Sequence, residues 1–592
     1  MAAPALATTA DDLCAPSADP CTVTGTQPVT PGSIIDVGTR RLSIVGTLDL
    51  SSGTMTLRAG ELRVESNGKL LADGKSDVPG GTILVTAGSI TVAGRADVSG
   101  SPGGSLSLTS TGPVTVGGTL DARSDASDSS GGSITIEGSH VVLSGMLSVL
   151  GGPFEFGGEV SVRAGDTLSL TGSIDATGGD GGGADLSSVG DLTIGLNGTI
   201  RTNGTAAGGS GGDISLASDG RLTVDGEVSA NGRNGTIDDG GGDGGSIALS
   251  GGEVRAERAA ARITATAGTP DGVGGEIEIT STTGALALRA PVDASSPGID
   301  GSGGGVSLDA AGPALLTGPI DVSGGSDGAG DVDATTTATL TLGATAAITA
   351  SASGTGVGGD VDFQGADILV QGEIVTDGGG AQGSAGGNIL LTACDIQVAA
   401  GSRLSSLRPF GDITLIGRDH TTIAGTFRAD TATGRNQARY AGPSHEPQVT
   451  GGASIQPPLV AVQDGTIIPC AGVDTPTVTA TTTATPTVTR TVPPGSTATA
   501  TPTQTGTATD TPVDTPQPSP TDTPTPTPTP LACVGDCDGN GMVSVADLIV
   551  GVNIALGNQP IENCPAFDVT GDGMVTVSEL IQGVNNALDG CG

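Results

Sequence analysis

A glycine pair followed by a short alternating run of aliphatic and small polar residues recurs through most of this 592-residue chain. The clearest copies are Gly80-Gly81-TILV, Gly103-Gly104-SLSL, Gly131-Gly132-SITI, Gly157-Gly158-EVSV, Gly211-Gly212-DISL, Gly244-Gly245-SIAL, Gly274-Gly275-EIEI, Gly358-Gly359-DVDF and Gly386-Gly387-NILL. Weaker copies start at Gly182-Gly183, Gly304-Gly305, Gly330 and Gly411, so thirteen starts between Gly81 and Gly411 set a period near 27 residues. Individual intervals run from 23 to 33, and loops such as Asp238-DGGGDGG absorb the difference. Two further short runs follow within a unit, as in Pro113-Val-Thr-Val and then Gly118-Thr-Leu-Asp-Ala. Alternation of period two turns one side of each strand inward.

Three strands per unit of this length predict a right-handed parallel β-helix, each coil stacking about 4.8 Å from the next. The predicted fold class is therefore mainly β, with a rod on the order of 60–70 Å long. Aromatic side chains number seven, six Phe and one Tyr, with no Trp. A narrow bore filled by ladders of Val, Ile and Leu explains that scarcity. The 103 glycines are expected to supply positive φ angles at the corners. In pattern the region resembles the β-helices of filamentous haemagglutinin-like bacterial surface proteins, and the resemblance covers residues 35–425. It implies caps over the terminal coils, at 1–34 and 426–473, protecting their edges.

Residues 474–530 form a Thr/Pro-rich linker; positions 475–530 hold 24 Thr and 13 Pro, a composition that favours extended polyproline II. The eight cysteines fall into groups: Cys14 with Cys21, Cys394 with Cys470, and Cys533, Cys537, Cys564 and Cys591 together. No zinc or redox CxxC spacing occurs, so disulfides formed in an oxidising, extracellular or cell-surface setting are expected. Met1-Ala-Ala-Pro-Ala-Leu-Ala lacks the charged and apolar regions of a signal peptide, and its small residues fit the tail of one. A formal charge of −40 with only two Lys argues against nucleic acid, whose phosphates need clustered cations. No apolar run approaches the roughly 18 residues of a membrane span.

Residues 531–592 carry a duplicated segment, Asp536-CDGNGMVSVADLIVGVNIALG and Asp568-VTGDGMVTVSELIQGVNNALDG. Each fits a twelve-residue Ca²⁺ loop with ligands at positions 1, 3, 5, 7, 9 and 12 and glycine at position 6. The first loop offers Asp536, Asp538, Asn540, the Met542 carbonyl, Ser544 and Asp547; the second offers Asp568, Thr570, Asp572, the Met574 carbonyl, Thr576 and Glu579. Two Ca²⁺ sites are expected. Gly541 and Gly573 stand at position 6, and Thr570 replaces the usual Asp or Asn. The exit helices place Leu548, Val552, Ala555 and Leu556, and Leu580, Val584, Ala587 and Leu588, on one expected buried stripe. Four cysteines allow three pairings; Cys533–Cys591 with Cys537–Cys564 is one, and the sequence leaves the others open. Loop plus helix twice over, after a Thr/Pro linker, resembles the type I dockerin domain. That resemblance implies a cohesin-like partner and attachment to a larger assembly.

The rest of the chain offers no catalytic constellation. His140, His420 and His445 lie far apart in sequence, and Arg255, Arg258 and Arg262 form the densest basic group. The expected function is a secreted or cell-surface, non-enzymatic, adhesin-like rod that presents a glycan or other cell-surface ligand site and is attached through the calcium module. The alternative is a β-helix polysaccharide lyase or glycoside hydrolase carried by its dockerin.

Overall fold

The computed structural model describes residues 7–51, 53–74, 77–380, 384–470, 534–537, 543–555, 559–568, 575, 580, 582–583 and 586–587. The chain divides into two units, Met1–Thr479 and Ala480–Gly592, and each is described by itself.

The first unit is a parallel β-solenoid of about 15 turns, with about 27 residues per coil. Its first face carries six-residue strands such as Ser105–Ser110, Ser133–Gly138 and Glu159–Ala164. The second carries Val114–Val116, Val141–Leu143 and Leu168–Leu170, and the third Thr119–Asp121, Met146–Ser148 and Ser173–Asp175. Every strand pairs in parallel with its counterpart one coil away, in register. Leu106, Ile134, Val160, Ala184, Ile214, Ile247, Ile277 and Val306 thus make one continuous buried ladder. Leu120, Leu147, Ile174, Ile200, Val228 and Ile263 make another on the third face. Each large aliphatic side chain so buried contributes about 1.5–3 kcal/mol.

Coil pairing begins at Cys21, opposite Leu42, and continues to Leu459–Gln463, opposite Asn436–Tyr440. It therefore includes parts of the two segments assigned to caps. A short helix, Ala10–Leu13, precedes the first coil, with Ala10 buried in the solenoid core and Leu13 packed against it. The expected disulfides Cys14–Cys21 and Cys394–Cys470 are both present.

The glycine pairs have a different role from the expected one. None of the repeated pairs adopts a positive φ; the positive-φ glycines are positions such as Gly25, Gly208, Gly354 and Gly401. The pairs instead stack on each other. A Cβ on Gly104 would lie 2.1 Å from the Gly81 carbonyl oxygen, on Gly132 2.0 Å from that of Gly104, and on Gly212 1.9 Å from that of Gly182. Only a residue without a side chain lets consecutive coils approach so closely at this corner. The opposite end of the same corner is built by aspartates: Asp97, Asp121, Asp175, Asp293 and Asp321 each accept the amide N–H two residues on, an Asx turn that closes the third strand.

In the second unit a helix spans Val545–Ala555, and a small core gathers Ile554, Cys564, Phe567 and Val575. Cys537 bonds Cys564; Cys533 and Cys591 lie outside the described residues. The buried stripe is rotated from the expected one. Asp547, Gly551 and Ile554 are buried, whereas Val552 and Ala555 are exposed. Phe567 is the reason: a Cβ on Gly551 would lie 2.5 Å from its ring and one on Gly583 2.4 Å. The same glycine of both repeats makes room for one aromatic side chain. Leu548 and Leu580 still pack against the core. Among the described residues no helix is long and apolar enough to cross a membrane.

Candidate functional site

Of the twelve expected calcium ligands, Asp536, Ser544, Asp547 and Asp568 fall within the described residues. Asp538, Asn540, Met542, Thr570, Asp572, Met574, Thr576 and Glu579 lie outside them. Ser544 and Asp547 form the start of the helix Val545–Ala555. The Ser544 backbone N–H and hydroxyl both donate to Asp547 Oδ2, at 2.9 and 2.6 Å, and the Asp547 N–H approaches Ser544 Oγ at 3.5 Å. This is a reciprocal capping box, here with Asp at N3.

Loop positions 9 and 12 are therefore held together by the helix start itself. The Ser544 hydroxyl and amide hold the Asp547 carboxyl below the ordinary carboxylate range, and the Cys537 backbone amide adds to the effect. The Cys537 disulfide sulfur also lies 3.7 Å from the Asp547 carbonyl oxygen. Cys537 is loop position 2, so positions 2 and 12 of the twelve-residue loop approach each other. An ionised, buried carboxylate at position 12 fits a hard divalent cation that takes oxygen ligands. Asp536, Ser544 and Asp547 would hold it in the first loop. Asp568, which follows the turn Pro565–Phe567, opens the second.

In the solenoid, His140 lies 3.3 Å from the Ser139 hydroxyl and 2.9 Å from Asp166 Oδ2. The identities are those of a hydrolytic triad, but both charged partners are more than half exposed and line none of the described depressions. His420 pairs with Asp395 at 2.9 Å, also in the open. Cys394, Cys470 and Asp419 converge, but the two thiols are joined as a disulfide, and Asp419 accepts the Cys470 amide at 3.2 Å.

Several depressions mark the solenoid surface, among them the following two. A shallow one of about 900 Å³ follows the stacked glycines and includes Phe156, Glu159, Asp185 and Asp213. It is a direct consequence of the missing side chains. The second, about 570 Å³, is lined by Arg255, Arg258, Arg289, Asp225, Glu257 and Leu196 among others. Of the basic group singled out in the sequence, Arg255 and Arg258 enter it. Arg262 instead starts a third-face strand opposite Glu227. Arg289 joins from the next coil, a neighbour only the coil register reveals.

Comparison of the chain with protein-family models, with curated proteins and with solved structures found no match.

Proposed function

We propose that this chain is an extracellular, non-enzymatic rod that displays a binding surface and is tethered through a calcium-dependent, dockerin-like C-terminal module. The capping box at Ser544 and Asp547 carries the calcium part of this reading, because it fixes loop positions 9 and 12 together with the acid at position 12 ionised. Duplication of the loop and of the glycine that seats Phe567 extends the reading to a paired module. Three disulfides suit an oxidising compartment. The in-register coils suit a stiff spacer that holds a surface away from its point of attachment.

Calcium titration of the full chain by isothermal calorimetry tests this. The expected result is two Ca²⁺ per chain, with Asp536→Ala and Glu579→Ala each removing one. Absence of saturable calcium heat, or equal binding of Mg²⁺, overturns the reading. Retention of a cohesin domain by the calcium-loaded chain, and its loss in chelator, tests the tether.

A further inference from the structure

Four successive coils bring Leu196, Asp225, residues 257–261 and Arg289 to one corner, just after the second-face strands Leu192–Ile194, Arg221–Val224, Glu253–Ala256 and Leu286–Leu288. This corner takes two residues at Gly117-Gly118, Ser144-Gly145 and Thr171-Gly172 and three or four in other coils, as at 289–291 and 195–198, and between Ala256 and Arg262 it takes five. The longer corner forms part of the 570 Å³ depression, a volume suited to a small ligand.

The backbone of this corner is fixed. Arg289 N–H donates to the Ala256 carbonyl at 2.7 Å, Asp225 N–H to that of Ile194 at 2.8 Å, and Ala261 N–H to that of Arg258 at 3.1 Å. Three guanidinium groups converge there with different degrees of engagement. Arg255 donates twice to Glu253, at 2.8 and 2.6 Å. Arg258 lies 3.3 Å from Asp225, so this wall already holds a carboxylate. Arg289 is exposed, and its guanidinium has no hydrogen-bond or ion-pair partner among the described residues. Three Arg against Asp225 and Glu257 leave one surplus positive charge in the lining, inside a chain of net charge −40.

That balance selects the ligand. A sulfate or phosphate dianion meets two carboxylates and only one surplus cation, whereas a monocarboxylate matches the surplus and suits the planar guanidinium fork. Asp225 and Glu257 then serve as acceptors for hydroxyl groups, and Leu196, Ala259 and Ala260 offer an apolar wall for C–H faces. We propose that this corner pocket binds a singly charged, polyhydroxylated carboxylate, the uronate residue of an acidic glycan, with Arg289 as its principal anchor. The proposal rests on the reading of the rod as a display surface and names what one part of that surface takes.

The test is calorimetric titration of the full chain with methyl galacturonide, a monoanionic uronate, in the presence of chelator so that the calcium module does not contribute. Saturable binding that weakens with added salt is expected, roughly tenfold weaker in Arg289→Gln and also weaker in Arg258→Gln. Arg435→Gln, far along the rod, should bind like the parent. Far-UV circular dichroism of each variant should match the parent, since Arg289 is exposed. The proposal is overturned if methyl galacturonide gives no saturable heat, if neutral methyl galactoside or inorganic sulfate binds as well, or if Arg289→Gln is unchanged. Calcium binding by the same preparation is read separately, so failure here leaves the tether reading intact.

Discussion

The solenoid and the C-terminal module bury their cores by opposite means. The solenoid repeats one modest solution: small aliphatic side chains stacked in register, with the coils brought together at a corner of glycines. Its stability is spread over many equivalent positions, as in any quasi-one-dimensional fold. The module concentrates its core on Phe567, ringed by Gly535, Gly551 and Gly583 and pinned by Cys537–Cys564. A unit of about 60 residues has too little apolar area to fold by burial alone and needs staples such as this disulfide. Repetition thus tolerates the loss of one contact, provided the coils can still meet; concentration does not.

The largest effect is expected where repetition has no slack. Gly132→Val puts a branched side chain where even a Cβ would lie 2.0 Å from the Gly104 oxygen. Backbone cannot yield there without parting two coils, so a loss above about 4 kcal/mol is expected, or failure to fold. Gly183→Ala, at a glycine the sequence counted in the pair Gly182-Gly183 but the coil register places in the strand Gly183–Ser188, meets nothing closer than 3.8 Å and should leave urea unfolding of the rod unchanged. Equal effects at the two positions would break the account of the glycine corner.

Next comes Phe567→Ala, expected to cost the module about 3–5 kcal/mol. Hydrogen exchange separates the regions: protection of amides in Val545–Ala555 should fall while that of Ser105–Ala310 stays. Calcium removal should act in the same direction and on the same segment, because the loop that holds Asp547 begins its helix. Asp547→Asn should lower the calcium stoichiometry by one and reproduce, in that helix, the effect of chelator.

Much of this was legible from the residues. Alternation and period follow directly from parallel coils, and Cys14–Cys21 and Cys394–Cys470 follow from proximity in sequence or at the ends of the repeat, whereas Cys537–Cys564 was one of three pairings the sequence left open. The glycine role was not, because a sequence records that a Cβ is excluded but not whether φ or a neighbouring coil excludes it. The helix stripe was misplaced for a related reason. Periodicity alone favoured Val552 over Gly551, and only the seat of Phe567 shows why a glycine faces inward. The Asx turns at Asp97, Asp121 and their counterparts stand in repeated aliphatic-Asp-aliphatic steps such as Ala96-Asp97-Val98 and Leu120-Asp121-Ala122, a signal that the period-two reading treated as alternation. Arg289 could not be joined to Arg255 and Arg258 without the register, since 34 and 31 residues separate them.

Acid distinguishes the two regions by sign, with the smallest expected magnitude. In the solenoid Asp333 and Asp362 pair in register. Burial raises both carboxyls above the ordinary 3.8; repulsion from Asp331 and Asp360 adds to it for Asp333, and repulsion from Asp333 and Asp360 for Asp362. Asp362 Oδ1 is buried without a hydrogen-bond partner. Above pH 3.8 the folded form therefore holds protons that the unfolded chain has released, and this pair's contribution to stability declines as pH rises. For Asp547 the order is reversed. Its folded carboxyl titrates below 3.8, so its contribution is present above the ordinary carboxylate range and is lost as pH falls through the lowered value. Asp362→Asn should accordingly stabilise the rod at pH 7 by about 0.5 kcal/mol, with the gain shrinking toward pH 4. Asp547→Asn should destabilise the module at pH 7, with the difference from the parent closing in acid. Urea midpoints of the rod and hydrogen exchange in Val545–Ala555, followed from pH 7 downward, measure the two trends. Trends of the same sign in both regions would mean that burial does not govern Asp362 or that the Ser544 cap does not govern Asp547.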